Sequence, residues 1–166
     1  MLFRSQITIS KPITIEFEVG CPVSVEMTSP LFLLGTCTGV RIRGGNFTLS
    51  GIGAGVLTYN SSTHATNVTI EDATCTGSGV EGDGHQFIGG LSGASLSNIR
   101  VLNNTVYSCI IGVSLNVDSA GSLNGGLISG NAISNCVGST SGKGDGIHHA
   151  NGSNTPSHLR SEEHTS

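Results

Sequence analysis

Apolar and polar residues alternate in short segments along much of the chain. The pattern is clear in Ile7-Thr-Ile9, Ile13-Thr-Ile15, Val40-Arg-Ile-Arg43 and Val68-Thr-Ile-Glu71. Alternation of this kind is typical of β-strands that bury one face. Gly, Asn, Ser and Pro separate the segments, so the sequence predicts short strands joined by tight turns.

The strand pattern also repeats with a nearly constant period. A strand signal begins at Ile13, Val40, Val68, Ile99 and Gly126, at intervals of 27, 28, 31 and 27 residues. Each cycle carries two further strand signals, and the turns between them leave no room for a crossover helix. Each strand is therefore expected to pair with its counterpart one cycle later. The sequence predicts a three-sided solenoid with parallel sheets around one apolar core.

The clearest internal repeat relates Val101–Cys109 to Ile128–Cys136. Asn104 and Asn131 are equivalent in this alignment and are expected to form an amide ladder at a turn. Outward residues should form columns in the same way. One predicted column contains Thr14, Arg41, Thr69 and Arg100, and a second contains Glu16, Arg43 and Glu71.

Five cysteines are present, and their spacings match no zinc pattern of the Cys-x-x-Cys type. Cys109 and Cys136 are equivalent in the repeat and would lie about 4.8 Å apart on adjacent coils. The sequence allows two interpretations of this pair: two buried free thiols that pack as small apolar groups, or a disulfide.

Coils of this length, with Asn-x-Ile/Val turns and recurring Gly-Val/Ile strands, resemble the right-handed parallel β-helix of the pectate-lyase-like superfamily. The resemblance covers Ile7 to about His149, and the right-handedness comes from it. The fold class is therefore expected to be all-β, a right-handed parallel β-helix of about five coils of 27–31 residues. The domain is expected over residues 1–159 and to be truncated, because residues 160–166 look like an adapter-derived tail.

Candidate chemistry centres on Gly82–Phe87 and Gly144–His149, which share Gly-Asp-Gly before a strand. Asp83 and Asp145 would lie two coils apart, about 9.6 Å, near the upper end of the carboxylate separation for inverting glycoside hydrolysis. His148 could act as a general acid or base or hold a substrate hydroxyl. Both Asp residues could instead serve only as turn residues. The predicted substrate-binding residues are Gln86, Ser114 and His85.

The resemblance implies a polysaccharide lyase or glycoside hydrolase that acts on an extracellular polysaccharide. The Asn-Thr-Asp and Gly-His-Gly motifs of polygalacturonases are absent, as is the acidic calcium cluster of pectate lyases. Whether the chain is an enzyme therefore stays open. The alternative is a non-catalytic solenoid, such as a surface adhesin or a phage tail fibre, which could form a trimer. Either would work outside the cell or on a cell or virion surface.

The composition of the chain limits the classes of partner that are expected. With 7 basic and 11 acidic residues the formal net charge is −4, which argues against nucleic acid. The sequence contains no apolar run of about 18 residues, so no membrane span is predicted. No cofactor or metal is predicted. Tyr59 and Tyr107 are the two tyrosines that could stack on a sugar, and Tyr107 is a candidate for exposure.

Overall fold

A computed structural model describes residues 1–80, 83–90, 93–117, 121–136, 146–151 and 159–163. These residues form seventeen β-strands with parallel pairing throughout. The strands stack into a solenoid of three faces, named A, B and C here, so the predicted all-β parallel solenoid is confirmed. No helix in the described ranges is long and apolar enough to cross a membrane.

Each face is one ladder of strands from successive coils. Face A contains β1 (Leu2–Phe3), β4 (Pro22–Val25), β7 (Asn46–Leu49), β10 (Thr74–Thr76) and β13 (Thr105–Tyr107). Face B contains β2 (Ile7–Ile9), β5 (Pro30–Leu34), β8 (Gly55–Tyr59), β11 (Gln86–Gly90), β14 (Ile111–Val117) and β16 (Ile147–Asn151). Face C contains β3 (Ile13–Glu16), β6 (Cys37–Arg43), β9 (His64–Glu71), β12 (Ser95–Leu102) and β17 (Leu159–Glu163). The long β15 (Ser122–Ser134) begins on face C, where it pairs with β12, and ends on face A, where it pairs with β13.

The predicted period is confirmed residue by residue on face C. Ile13, Val40, Val68, Ile99 and Gly126 are direct partners in successive strands. Five predicted strand starts enclose only four intervals, and the structure accordingly has about four turns, not five coils. The prediction counted strands, whereas a turn is complete only when the chain returns to the same face.

The apolar core is formed by the inward-facing residues of strands in which apolar and polar residues alternate. Burial alternates along β7 and β13, so each places its central apolar residues inward and the residues beside them outward. On face B the ring of Tyr59 is buried and lies over Gly90 in the next coil, where any β-carbon would overlap the ring. The Tyr59 hydroxyl donates a hydrogen bond to the backbone oxygen of Ser114, 3.3 Å away. The core therefore includes contacts that extend across two coils.

The corner between faces C and A uses residues that tolerate a left-handed backbone. Gly44, Asp72, Asn103 and Gly130 occupy equivalent corner positions, with φ of 73°, 55°, 54° and 68°. Gly and, less readily, Asn and Asp adopt this conformation. This recurring backbone geometry turns the chain from one face to the next in each coil.

The predicted amide ladder at this corner is confirmed. The side-chain nitrogen of Asn104 donates to Asn131 Oδ1 at 2.9 Å, and Asn104 Oδ1 accepts from the backbone nitrogen of Ala73 at 3.0 Å. Asn104 and Asn131 are both buried. Because buried backbone groups need partners, this ladder stabilises the corner between consecutive coils.

The segment 159–163 pairs with β15, so it continues the face C ladder. The origin of residues 160–166 stays a prediction, because strand pairing does not distinguish native residues from foreign ones.

Candidate functional site

Asp83 lies in the turn before β11, at the corner between faces A and B. Its backbone nitrogen donates to Val80 at 3.1 Å, and its backbone oxygen accepts from Gly53. The carboxylate is half-buried and forms no hydrogen bond or ion pair with the described residues. The backbone of Asp83 thus serves the turn, and its side chain remains available for chemistry.

His85 is buried, and its side chain is hydrogen-bonded to the protein backbone. It is 1% exposed, and its ring links two neighbouring turns. Nδ1 accepts a hydrogen bond from the backbone nitrogen of Ser78 at 2.9 Å, so Nε2 carries the proton and donates to Gly51 O at 3.0 Å. Both ring nitrogens are engaged, and the predicted contact of His85 with a substrate stays a prediction.

Gln86, Ser114 and His148 belong to neighbouring strands of face B. Ser114 pairs directly with His148, whereas Gln86 pairs with Ile111. The Gln86 amide nevertheless folds along its own strand, since a β-carbon at Gly89 would overlap Gln86 Oε1. Ser114 is only 5% exposed. Substrate contact by these three residues stays a prediction.

Asp145 lies outside the described residues, so its distance from Asp83 is untested. The register of the strands that follow is known: Ile147 is level with Ile88 through their common partner in β14. Asp145 precedes Ile147 by two residues, whereas Asp83 precedes Ile88 by five. The two Gly-Asp-Gly motifs therefore stand at different distances from equivalent strand positions.

Face A carries an uncharged polar surface. Its outward positions in register form two rows along the solenoid axis. One row contains Ser24, Thr48, Thr76, Tyr107 and Ser134, and the other contains Asn46, Thr74 and Thr105. Within the described part of the chain, none of these eight side chains forms a hydrogen bond to a protein group. Face A thus presents unpaired donors and acceptors at the spacing of adjacent strands, about 4.8 Å.

Tyr107 lies on the fourth of the five strands that carry this surface. Its side chain is 48% exposed, whereas Tyr59 is 2% exposed and packs in the core. Thr76 and Ser134 flank Tyr107 on the neighbouring strands. The exposure predicted as possible for Tyr107 is confirmed, and Tyr59 is unavailable as a platform.

A groove continues face A at the corner with face C. Its volume is about 600 Å³, and it is called the corner groove here. Asn46 and Thr74 of face A form part of its wall. The remaining walls include the charged residues Glu16, Glu18, Arg43 and Asp72, with Phe17 and the turn to Gly20. Phe17 is held by an edge-to-face contact with Phe47, with ring centroids 5.4 Å apart.

Arg41 and Arg43 on face C are paired with carboxylates. Arg43 contacts Glu16 at 3.2 Å and Asp72 at 3.0 Å, and Arg41 donates to Glu71 at 2.7 Å through Nε. The hydrogen bond and charge of Asp72 raise the pKa of Arg43, with a smaller contribution from Glu16. The predicted Glu16–Arg43–Glu71 column is confirmed, and the network fixes the guanidinium of Arg43 at the edge of the corner groove.

In the described ranges, no group of three or more His, Cys, Asp and Glu residues is arranged to hold a metal ion. Comparison with protein-family models, curated proteins and solved structures found no match. By its fold, the chain is a parallel β-solenoid, and its function must be argued from its surfaces.

Sequence reasoning missed the surface of face A. The Thr-x-Thr pattern at Thr74–Thr76 and the polar positions beside Phe47 and Val106 were visible as outward residues. Small neutral side chains are ordinary on exposed strands, and what distinguishes these is that they have no hydrogen-bond partner among the described residues. Whether a side chain has such a partner depends on the three-dimensional structure and cannot be seen in the sequence.

Proposed function

We propose that the chain binds a polysaccharide through face A and the corner groove, on a cell or virion surface or elsewhere outside the cell. The observation that carries this proposal is the array of outward hydroxyl and amide groups on face A that form no hydrogen bond with any residue the structure describes. Sugar hydroxyls both donate and accept hydrogen bonds, as Ser, Thr and Asn side chains do. Face A can therefore replace part of the water shell of a sugar chain.

The shape of face A favours a linear polymer. Five strands, from β4 to the end of β15, contribute outward residues to it. At about 4.8 Å per strand, the surface is about 19 Å long, which is sufficient for several sugar rings. Tyr107 adds a flat apolar ring against which the C–H face of a sugar can pack.

The corner groove adds directional contacts. A volume of about 600 Å³ is in the range of small-ligand sites. Arg43 is held by three carboxylates, so its remaining donors have fixed directions. Carboxylates and a guanidinium form short, charge-assisted hydrogen bonds with hydroxyl groups. The groove is suited to one sugar unit of a chain that lies on face A.

A catalytic version of this proposal uses the corner between faces A and B. The half-buried carboxylate of Asp83, without a hydrogen bond to the described residues, favours it. Asp83 and Asp145 would be the acid and base of a glycoside hydrolase or the catalytic groups of a lyase, with His148 beside them. The resemblance to the pectate-lyase-like superfamily supports this version. The binding version suits a surface adhesin or a tail fibre, including a trimeric one.

The binding proposal is tested by titrating a panel of soluble polysaccharides against wild type and Tyr107→Ala. The alanine variant is expected to weaken binding of the recognised glycan about tenfold, as for an aromatic contact with the ligand. Tyr107→Phe should retain most of the affinity because the ring remains. Thr66→Ala, an exposed substitution on face C, is the matched control and should leave affinity unchanged. Unchanged affinity in Tyr107→Ala would contradict the proposal.

Catalysis is tested separately by following depolymerisation of the same glycan. Asp83→Asn and Asp145→Asn should each abolish product formation while glycan binding persists. If both variants cleave at the wild-type rate, these residues are not catalytic. If the wild type does not cleave any glycan that it binds, the binding version is favoured.

A further inference from the structure

Two thiols meet in the core directly beneath face A. Cys75 lies in β10 between Thr74 and Thr76, and Cys109 follows the end of β13 by two residues. Their Sγ atoms are 3.9 Å apart, and both residues are 0% exposed. The contact is between consecutive coils.

This contact differs from the pairing that the repeat suggested. Alignment of the repeats makes Cys109 equivalent to Cys136, yet the sulfur of Cys109 faces the preceding coil. Ser108 lies just before Cys109 and has φ of 54°, which turns the chain at this corner. Cys109 thereby reaches Cys75, whose own strand partner is Val106.

The geometry is close to that of a cross-link. Bonded sulfurs are about 2.05 Å apart, so the two Sγ atoms must approach by about 1.9 Å. Rotation of two small side chains can supply much of this movement. The two residues belong to adjacent coils, with Cys109 three residues past Val106, the direct strand partner of Cys75, so the 3.9 Å between the sulfurs is the distance that supports a cross-link.

We propose that Cys75 and Cys109 form a disulfide when the protein meets a peroxide, which makes the pair a redox modification site that joins two coils. The inference does not depend on glycan binding. It assigns a covalent role to two residues that otherwise pack as small apolar groups.

The reaction balances with hydrogen peroxide as the oxidant. The sulfur of Cys109 attacks one oxygen, the O–O bond breaks, and hydroxide leaves, so that Cys109 becomes a sulfenic acid. The sulfur of Cys75 then attacks the sulfenyl sulfur, the S–S bond forms, and the S–O bond breaks with loss of a second hydroxide. Protons from the two thiols convert both hydroxides to water, so two thiols and one peroxide give one disulfide and two waters.

The electrostatics assign the order of attack. A hydrogen bond from Cys75 lowers the pKa of Cys109, and the backbone of Gly77 lowers it further against the opposing effect of burial. Desolvation raises the pKa of Cys75. Since the thiolate is the nucleophile, these directions favour Cys109 as the sulfur that reacts with peroxide first.

The test treats the folded wild-type protein with hydrogen peroxide, blocks remaining thiols, and maps disulfides by mass spectrometry. Digestion with trypsin and chymotrypsin cuts at Leu115 and Leu123 and so separates Cys109 from Cys136. We expect a linked peptide pair containing Cys75 and Cys109, and a melting temperature about 10 °C higher than that of the reduced protein. Dithiothreitol should reverse both.

Alanine variants supply the controls. Cys37→Ala, which removes another buried thiol, should keep the cross-link, whereas Cys75→Ala and Cys109→Ala should lose it. Absence of the Cys75–Cys109 pair after oxidation, or a Cys109–Cys136 pair in its place, would overturn the proposal. The wild-type map decides this even if a variant does not fold.

Discussion

Face A and face C are built on the same ladder of parallel strands and differ in how their outward side chains find partners. On face C, Arg41 and Arg43 are paired with carboxylates on neighbouring coils. On face A, the outward side chains in the described ranges form no hydrogen bond to the protein. Arg41 and Arg43 therefore have partners within the protein, whereas the outward polar groups of face A are left to bond with solvent or a ligand.

This difference indicates that the side chains of face C specify the register of the strands, whereas those of face A are suited to binding a ligand. Opposite charges on adjacent strands stabilise one register, because a shifted strand would place like charges together. Exposed ion pairs contribute little to stability, so the network specifies alignment more than it strengthens the fold. Among the described residues face A has no such network, so its groups can bind a ligand without first breaking the protein contacts of those residues. The more charged face is therefore not the better candidate for binding.

The largest expected effect is at the corner that joins the two faces. Asn104→Ala removes the acceptor for Ala73 N and a donor to Asn131, and leaves buried polar groups unpaired. We expect a loss of about 3 kcal/mol in the free energy of unfolding. For a chain of this size the melting temperature should fall by about 6–12 °C.

Asn98→Gly is the matched control for that experiment. Asn98 is exposed, has φ of 51° and donates one hydrogen bond to Asn67. Glycine tolerates this backbone conformation, so the melting temperature should change by only about 1–2 °C. Equal losses in Asn98→Gly and Asn104→Ala would show that burial of the ladder is unimportant.

A smaller effect is expected when hydroxyls are removed from face A without changing its shape. The double variant Thr76→Val and Thr105→Val keeps the branched side chains but removes two of the unpaired hydroxyls. Because neither hydroxyl bonds to a described protein group, the melting temperature should stay the same, while glycan affinity should fall about fivefold to tenfold. Titration calorimetry and thermal melts measure the two quantities on one sample.

The corresponding double variant on face C is Thr14→Val and Thr69→Val. Both positions are outward in their column beside Arg41. This change should leave glycan affinity as it is in the wild type. A comparable loss of affinity from the two double variants would remove the distinction between the faces.

The smallest effect is expected for the ion pairs. Arg43→Gln leaves Glu16, Glu71 and Asp72 near one another without their shared cation. The melting temperature should fall slightly at low ionic strength, and the difference should shrink as salt screens the carboxylates. Thermal melts across a sodium chloride series measure this.

Arg100→Gln is the control, because Arg100 is exposed and forms no ion pair with the described residues. Its melting temperature should match the wild type at every salt concentration. A salt-independent loss in Arg43→Gln would mean that its packing, and not its charge, supports face C.

Much of the fold could be predicted from sequence because period and alternation encode it directly. The strand starts from Ile13 to Gly126 and the Asn104–Asn131 ladder follow from aligning equivalent positions. Such alignment finds contacts between equal positions on neighbouring coils. It does not find contacts between unequal positions, such as Cys75 with Cys109 or Arg43 with Asp72.

The candidate site was less predictable, for a related reason. Gly-Asp-Gly marks Asp83 as a residue of interest, but the motif describes a turn as well as a site. His85 was predicted as a ligand contact, and its sequence neighbourhood gives no sign that both ring nitrogens bind backbone groups. Whether a polar group already has a hydrogen-bond partner depends on residues far away in the chain, so the local sequence does not distinguish face A from the other faces.

The most direct test is threonine-methyl NMR of the protein during titration with a glycan that it binds. Both faces carry threonines, so one labelling scheme reports on both. We predict that the methyl signals of Thr48, Thr74, Thr76 and Thr105 on face A shift, while those of Thr14, Thr38, Thr66 and Thr69 on face C do not. Shifts confined to face C, or shifts at neither face, would contradict the assignment of face A as the binding surface.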